Sequence, residues 1–310
     1  MRTLVTGGAG FIGSNLVDAL LDRGDQVVVV DDLSTGKEAN LVAARERGAT
    51  LHVLDVRDGE ALSELVGQAR PETIFHLAAQ IDVRKSVVSP AWDATINVAG
   101  TINVLDAAHR HGVSRVVNSS TGGAIYGDAE LIPSPESVTP LPEAPYGQSK
   151  LAAEGYLGLF ERLHGLSAMT LRYGNVYGPR QDPLGEAGVI AIFSGALASG
   201  RRPTIFGDGA QTRDYVYVGD VVAANLLAAS SDDRGALNIG TQTETSVLDL
   251  VALLGELAGV EFEAEFAPAR PGELARSCLD ITAAKKVLGW QPTLAIREGL
   301  RLTLAANRAQ

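Results

Sequence analysis

A glycine cluster set between a strand and a helix constrains this chain more than any other feature. Residues 1–13 read as a short strand ending in Thr6, then Gly7-Gly8-Ala9-Gly10-Phe11-Ile12-Gly13, then the start of an amphipathic helix. The segment satisfies both Gly8-x-Gly10-x-x-Gly13 and Gly7-x-x-Gly10-x-x-Gly13. Early glycines let the backbone turn tightly and approach a pyrophosphate, whose charge meets the exposed N–H groups and positive end of the helix. The last glycine lets helix and strand pack closely. Glycine clusters by themselves are mostly turns. Here, however, a valine run at 27–30 ends in Asp31, 18 residues beyond Gly13, the spacing of a dinucleotide-binding unit. A carboxylate at the tip of that second strand accepts both ribose hydroxyls of an adenosine and repels a 2′-phosphate. With Asp32 beside it, Asp31 predicts NAD over NADP.

The texture of the chain extends this unit. Apolar, β-branched runs at 3–6, 26–31, 50–55, 73–78, 115–119 and 168–173 alternate with Ala/Leu-rich helical segments, among them 13–23 and 91–111. Continuous apolar strands are those of a sheet buried on both faces. The alternation predicts an α/β, doubly wound parallel (Rossmann) sheet. After Tyr173, glycine and proline crowd into 174–183 and 200–209, whereas 214–230 reads as an apolar strand followed by an Ala-rich helix that crosses back to the sheet. The expected division is residues 1–174 plus about 214–240 for the dinucleotide, and 175–213 plus about 241–310 for a smaller, interleaved substrate domain.

Composition excludes several classes. Of 310 residues, 26 are Lys or Arg and 37 Asp or Glu, a formal charge of −11, which argues against a surface made for nucleic acid. Charge-free stretches such as 187–200 are too short for a membrane helix. One cysteine, Cys278, rules out an internal disulfide framework and fits a cytoplasmic setting. The five histidines lack the spacing of metal ligands, so no metal is expected. Trp92 and Trp290 read as core residues.

Tyr146-Gly-Gln-Ser-Lys150 precedes a helical run at 151–162, which places the phenol and the ammonium at i and i+4 on one face. An ammonium near a phenol stabilises the phenolate and draws it toward neutrality, where it serves as a general base. Upstream, Val116-Val-Asn-Ser119-Ser120-Thr121 ends a predicted strand at the carboxyl edge of the sheet, where ligands bind in such folds.

Together these residues resemble the extended short-chain dehydrogenase/reductase family, and within it the UDP-glucose 4-epimerases. The similarity covers essentially the whole chain. Its pieces are Gly7 to Gly13, Asp55-Val56, His76-Leu-Ala-Ala-Gln80, Asn97-Val-Ala-Gly-Thr101, Ser119 to Thr121, Tyr126-Gly127, Tyr146 to Lys150, Arg172-Tyr-Gly-Asn-Val-Tyr-Gly-Pro179, the segment 207–215 and Arg270-Pro-Gly-Glu273. The resemblance implies that Tyr146 is the acid/base, that Lys150 binds the nicotinamide ribose, and that Thr121 holds the reacting hydroxyl, with Ser120 as the alternative. Gly7, Gly10, Phe11, Ile12, Gly13, Asp31, Asp32, Asp55, Val56, Leu77, Ala78, Ala79, Gln80, Asn97, Ser119 and Tyr173 would surround NAD. A UDP-sugar would be held by Asn175, Phe206, Arg213, Tyr215, Arg270 and Glu273, with Ser277 beside carbon 2 as a gate whose small side chain admits an N-acetyl group. A homodimer built on the helices at 91–111 and 151–162 is also implied. The chain departs from the family pattern in having Thr121 where many members have serine, in Gly122-Gly123 lengthening the following loop, and in Gly174 where a bulkier residue is common.

Three readings of function follow. Transient oxidation at carbon 4 leads to epimerisation of UDP-glucose and UDP-galactose or of the N-acetylhexosamine pair. UDP-glucuronate epimerisation or another family reaction is the alternative, although dehydration needs an acid after the hydroxyl residue, where this chain has Gly122-Gly123-Ala124. A non-catalytic NAD sensor of the same fold is disfavoured by the Tyr146/Lys150 pair.

Overall fold

The computed structural model describes residues 1–183, 188–269 and 274–308, the side chain of Arg308 excepted. Thirteen strands run in chain order: β1 (Arg2–Thr6), β2 (Gln26–Asp31), β3 (Thr50–Val53), β4 (Thr73–His76), β5 (Arg115–Thr121), β6 (Ala168–Tyr173), β7 (Asn175–Tyr177), β8 (Thr204–Phe206), β9 (Thr212–Tyr217), β10 (Gly235–Ile239), β11 (Glu244–Ser246), β12 (Glu265–Ala267) and β13 (Arg276–Ser277). Seven of them form one parallel sheet in the order β10-β6-β5-β4-β1-β2-β3, the doubly wound sheet expected from the sequence. Register explains its two cores. Leu4, Ile74, Val116 and Ala168 align across the sheet toward one face, and Val29, Val5, Phe75 and Val117 toward the other. Helices Gly59–Ala69 and Gly100–Arg110 cover the first face, joined by Leu157 of Pro145–His164; Phe11–Asp22 and Val218–Ser230 cover the second.

The smaller lobe has its own core of Tyr177, Ile190, Phe193, Ile205, Tyr215, Leu250, Leu254 and Leu300. One expectation is corrected here. The strand predicted to return to the large sheet near residue 214 belongs to β9, which pairs instead with β7, β11 and β13. The helix after it, Val218–Ser230, and β10 rejoin the large sheet, and the later helix Thr282–Leu288 packs on β10 with Ile281, Ala284 and Trp290 in the same core. The expected helix at 91–111 is also interrupted: Pro90–Ala94 passes through a wide, π-helical turn, Thr95–Ala99, before Gly100–Arg110. Trp290 is buried and donates to the Asp220 carbonyl, whereas Trp92, expected in the core, is exposed. No described helix is long and apolar enough to cross a membrane.

Candidate active site

The carboxyl ends of β1, β4 and β5 meet where the strand order reverses, with β2 on one side of β1 and β4 on the other, the crevice in which sheets of this kind bind ligands. Gly7 leaves β1 with φ +69°, and an added Cβ there would lie 2.7 Å from the Ala78 nitrogen. A Cβ at Gly13 would lie 2.1 Å from the Gly7 carbonyl oxygen. Neither position tolerates a side chain. The helix begins after Gly10 with no side-chain cap, so its first N–H groups are presented to a ligand. The cradle therefore fits a dinucleotide pyrophosphate by shape and by polarity.

Asp31 is buried at the end of β2 and accepts the Ala9 amide (2.9 Å) and the Leu33 amide (2.9 Å). Burial raises its carboxyl above the usual range, partly offset by these two amides. Asp32 lies in an exposed turn and accepts from Ser34. Asp55 is engaged by the Arg57 amide (2.8 Å) and by the Arg57 guanidinium, which holds it below the usual carboxylate range. Val56 is packed against Gly100 in the core. Phe11 and Ile12 are half-buried at the start of the helix.

Asn97 makes a closed pair with the backbone of Gln80, accepting its amide and donating to its carbonyl, each at 2.9 Å. The π-helical turn aims it inward. Asn97 thereby fixes the Leu77, Ala78, Ala79, Gln80 segment from behind. Tyr173 sends its ring into the core, where its hydroxyl is held by Asn225.

Tyr146 and Lys150 lie within the first turns of helix Pro145–His164, which starts earlier than the sequence suggested because Pro145 is suited to the first helical position. The Tyr146 amide donates to Ser86 Oγ (3.1 Å), fixing the entry of that helix. The Thr121 hydroxyl is hydrogen-bonded to the Tyr146 phenol. Ser120 points elsewhere, donating to Glu154 Oε1 (2.6 Å), which is itself paired with Arg172. Lys150, 5% exposed, donates from Nζ to the Ser119 carbonyl (3.1 Å), and Ser119 Oγ donates to the His76 carbonyl (3.0 Å). Tyr146, Lys150, Thr121 and Ser119 are thus brought together.

The electrostatics of the pair differ from the sequence expectation. Burial, then the charge of Asp93, push the Tyr146 phenol up to about 12, with the Thr121 hydrogen bond opposing them. Burial brings Lys150 down to about 8 against the pull of Asp93 and Glu154. Desolvation outweighs the ammonium, whose Nζ is held at a carbonyl and not at the phenol oxygen.

In the smaller lobe β13 lies beside β9, with Ser277 opposite Arg213. Ser277 is half-buried. Arg213 donates to the Thr212 carbonyl (2.7 Å). Asn175 begins β7 with its Oδ1 3.5 Å from where a Gly123 Cβ would stand, and Phe206 ends β8 half-buried. Tyr215 is inside the second core. Arg270 and Glu273 lie outside the described residues. The glycine departures have local causes: a Cβ on Gly174 would meet the Asp214 carbonyl at 2.8 Å, and one on Gly122 would meet Leu279 at 2.4 Å. Cys278 is buried, and burial pushes its thiol up to about 12. Sequence reasoning missed Asp93, Ser86 and Glu154; the spacing of Asp93 four residues before Asn97 was the available signal.

Comparison with known proteins is consistent with this geometry. The model of the NAD dependent epimerase/dehydratase family matches residues 3–240. A UDP-glucose 4-epimerase of Mycolicibacterium smegmatis is 48% identical over 306 residues, covering 98% of this chain and 97% of that protein. The crystal structure of the UDP-glucose 4-epimerase of Thermotoga maritima with UDP-glucose superposes with a TM-score of 0.97 at 48% identity, covering 100% and 99% of the two chains. That of the Thermus thermophilus enzyme in complex with NAD gives 0.92 at 43% identity, covering 99% of each. The chain belongs to the NAD dependent epimerase/dehydratase family, within the extended short-chain dehydrogenases/reductases.

Proposed function

We propose that this protein is a NAD-dependent 4-epimerase of UDP-hexoses that interconverts UDP-glucose and UDP-galactose. The observation that carries the reading is the Thr121, Tyr146 and Lys150 group at the sheet edge, beside a glycine cradle shaped for a dinucleotide. When bound, NAD supplies a reversible hydride acceptor. Gly7, Gly10 and Gly13 would take its pyrophosphate and Asp31 its adenosine ribose, while Lys150 would reach the nicotinamide ribose. Tyr146 removes the proton of the sugar 4-hydroxyl and later returns it, and Thr121 holds that oxygen in line. Because the phenol is a weak acid in this buried setting, the charge that frees its proton must arrive with the ligands. No carboxylate follows Thr121 to drive elimination, since Gly122 opens a helical turn packed on Leu279.

In the smaller lobe Arg213, Asn175, Phe206 and Tyr215, with Arg270 and Glu273, would hold the UDP diphosphate and nucleoside, guanidinium geometry being suited to phosphate. Purified protein supplied with NAD and UDP-galactose is expected to form UDP-glucose, read by anion-exchange chromatography. No conversion in either direction would sink the proposal. The half-buried Ser277 next to Arg213 supports a second activity on UDP-N-acetylglucosamine, which Ser277→Tyr removes while leaving UDP-glucose turnover. A homodimer through the outer helices, in a reducing cytoplasm suited to the single buried thiol, completes the reading.

A further inference from the structure

Asp93 is fully buried, on helix Pro90–Ala94, which packs against the helix carrying Tyr146 and Lys150. Its Oδ1 accepts from Gln80 Nε2 (2.8 Å) and Asn97 Nδ2 (3.0 Å). Its Oδ2 is buried and has no hydrogen-bond partner. A carboxylate is costly to bury half-satisfied, and the usual remedy is a nearby opposite charge. Two acids act on Lys150, Asp93 and Glu154. Glu154 is already matched by Arg172, whose Nη2 and Nε reach it at 2.6 and 3.1 Å, and by Ser120. Lys150, buried on the helix packed against that of Asp93, is the cation on which this charge acts.

We propose that Asp93 is a positioning residue for the reaction, the buried counter-charge that keeps the Lys150 side chain an ammonium and Tyr146 a phenol. The inference rests on the roles proposed for Tyr146 and Lys150, but its deciding readouts do not need turnover. Other charged groups surround the pair, Arg84 and Lys85 among them on the packed helix Val83–Val88. His76, on β4, stays neutral because burial, then the Lys150 charge, bring it down to about 3. Glu154 and Arg172 offset one another. Asp82 caps its own helix through the Lys85 amide and faces the Lys85 ammonium at 3.6 Å. Asp93 thus opposes the phenolate and supports the ammonium, so both titrations of the pair depend on it.

Asp93→Asn keeps an acceptor for Gln80 and Asn97 and removes the charge. With five lysines in the chain, the 13Cε resonance of Lys150 is assignable by its loss in Lys150→Arg. Its titration midpoint is expected to fall by about one pH unit or more in Asp93→Asn, and both limbs of the kcat profile should move to lower pH together. An unmoved midpoint overturns the proposal, even if activity drops. A thermal double-mutant cycle with Lys150→Met gives a second reading: Asp93→Asn is expected to lower Tm markedly when Lys150 is present and little when it is absent. Equal losses in both backgrounds mean that Asp93 only clasps its loop, and overturn the counter-charge. Failure of the epimerase reading would show instead as a wild type without turnover whose Lys150 still follows Asp93.

Discussion

At the residue scale, Ser120 and Thr121 are adjacent at the end of β5 and face opposite ways, as strand neighbours must. Thr121 meets the phenol and Ser120 meets Glu154. Thr121→Val is therefore expected to cut kcat roughly tenfold, the loss of one hydrogen bond of about 1 to 1.5 kcal/mol in the reacting state, with the melting temperature nearly unchanged. Ser120→Ala should do the reverse, because it strips a donor from a buried carboxylate and costs about 1 to 3 kcal/mol of stability. Reversal of that pattern in kinetics and thermal unfolding would assign the reacting hydroxyl to Ser120. His76 makes a separate prediction. It bridges Thr6 (2.8 Å) and Thr101 (3.0 Å) inside the fold, and burial lowers it from 6.5 to about 3. Above pH 6.5 both folded and unfolded chains carry it neutral, and its full contribution is present. Between 6.5 and 3 the unfolded chain binds a proton that the folded one does not, so stability falls with pH, by roughly 2 kcal/mol at pH 5. Thermal unfolding of His76→Gln should show a shallower loss between pH 7 and 5 than the wild type; identical slopes would remove His76 from the acid response.

The elements were legible where burial is symmetrical. β2 carries a continuous valine run, and β1 and β6 are buried along nearly their whole length, because helices cover both faces, and the same logic accounts for the error at β9. Val216 points into the core of the large lobe while Tyr215 and Tyr217 pack in that of the small one. A strand wedged between two cores carries the signature of a strand within one sheet. β10 was hidden for the opposite reason, since Gly-Ala-Leu-Asn-Ile holds too few apolar residues to stand out. In the site, the glycine loop, Asp31, Tyr146 and Lys150 were readable because local spacing defines them. Ser86 was not, because its partner Tyr146 is distant along the chain, and Asp93 was legible only through Asn97 four residues on, its other partner Gln80 lying on a separate segment. The packing of the first helix on β1 is testable as a unit. Gly13→Ala sets a methyl 2.1 Å from the Gly7 carbonyl, so helix and strand must separate, at a cost of about 1 to 3 kcal/mol or more. The variant is expected to bind NAD far more weakly in calorimetry and to melt lower; wild-type affinity would place the pyrophosphate elsewhere.

For the whole molecule, the two lobes are tied by the segment after β7. Asn15 donates to the Pro179 carbonyl (3.2 Å), Arg180 pairs with Asp18 (2.6 Å) and Lys37 with Asp182 (2.7 Å). Partly exposed pairs of this kind contribute only about 1 kcal/mol or less each, so they orient the lobes more than they hold them. β9, packed into both cores, carries the larger share. Among the apolar side chains the single chain leaves exposed are those on the outer surface of helix Pro145–His164, where Tyr156 is 36% and Leu163 65% exposed, with the half-buried Leu159 between them. Their spacing of three and four residues draws one apolar stripe. The neighbouring helix Gly100–Arg110 runs alongside, the ends of the two joined by the stacked rings of His109 and His164 at 4.0 Å. In the homodimer proposed above, this apolar stripe would meet its own copy, and two such helices from each chain would make a four-helix contact. In that proposed contact Leu163→Glu would introduce a carboxylate into the apolar stripe. Sedimentation equilibrium is expected to show dimer for the wild type and monomer for Leu163→Glu at micromolar concentration. Since Tyr146 and Lys150 face inward on the same helix, the monomer should retain NAD and most of its turnover. A dimer that survives the substitution would move the interface to another face.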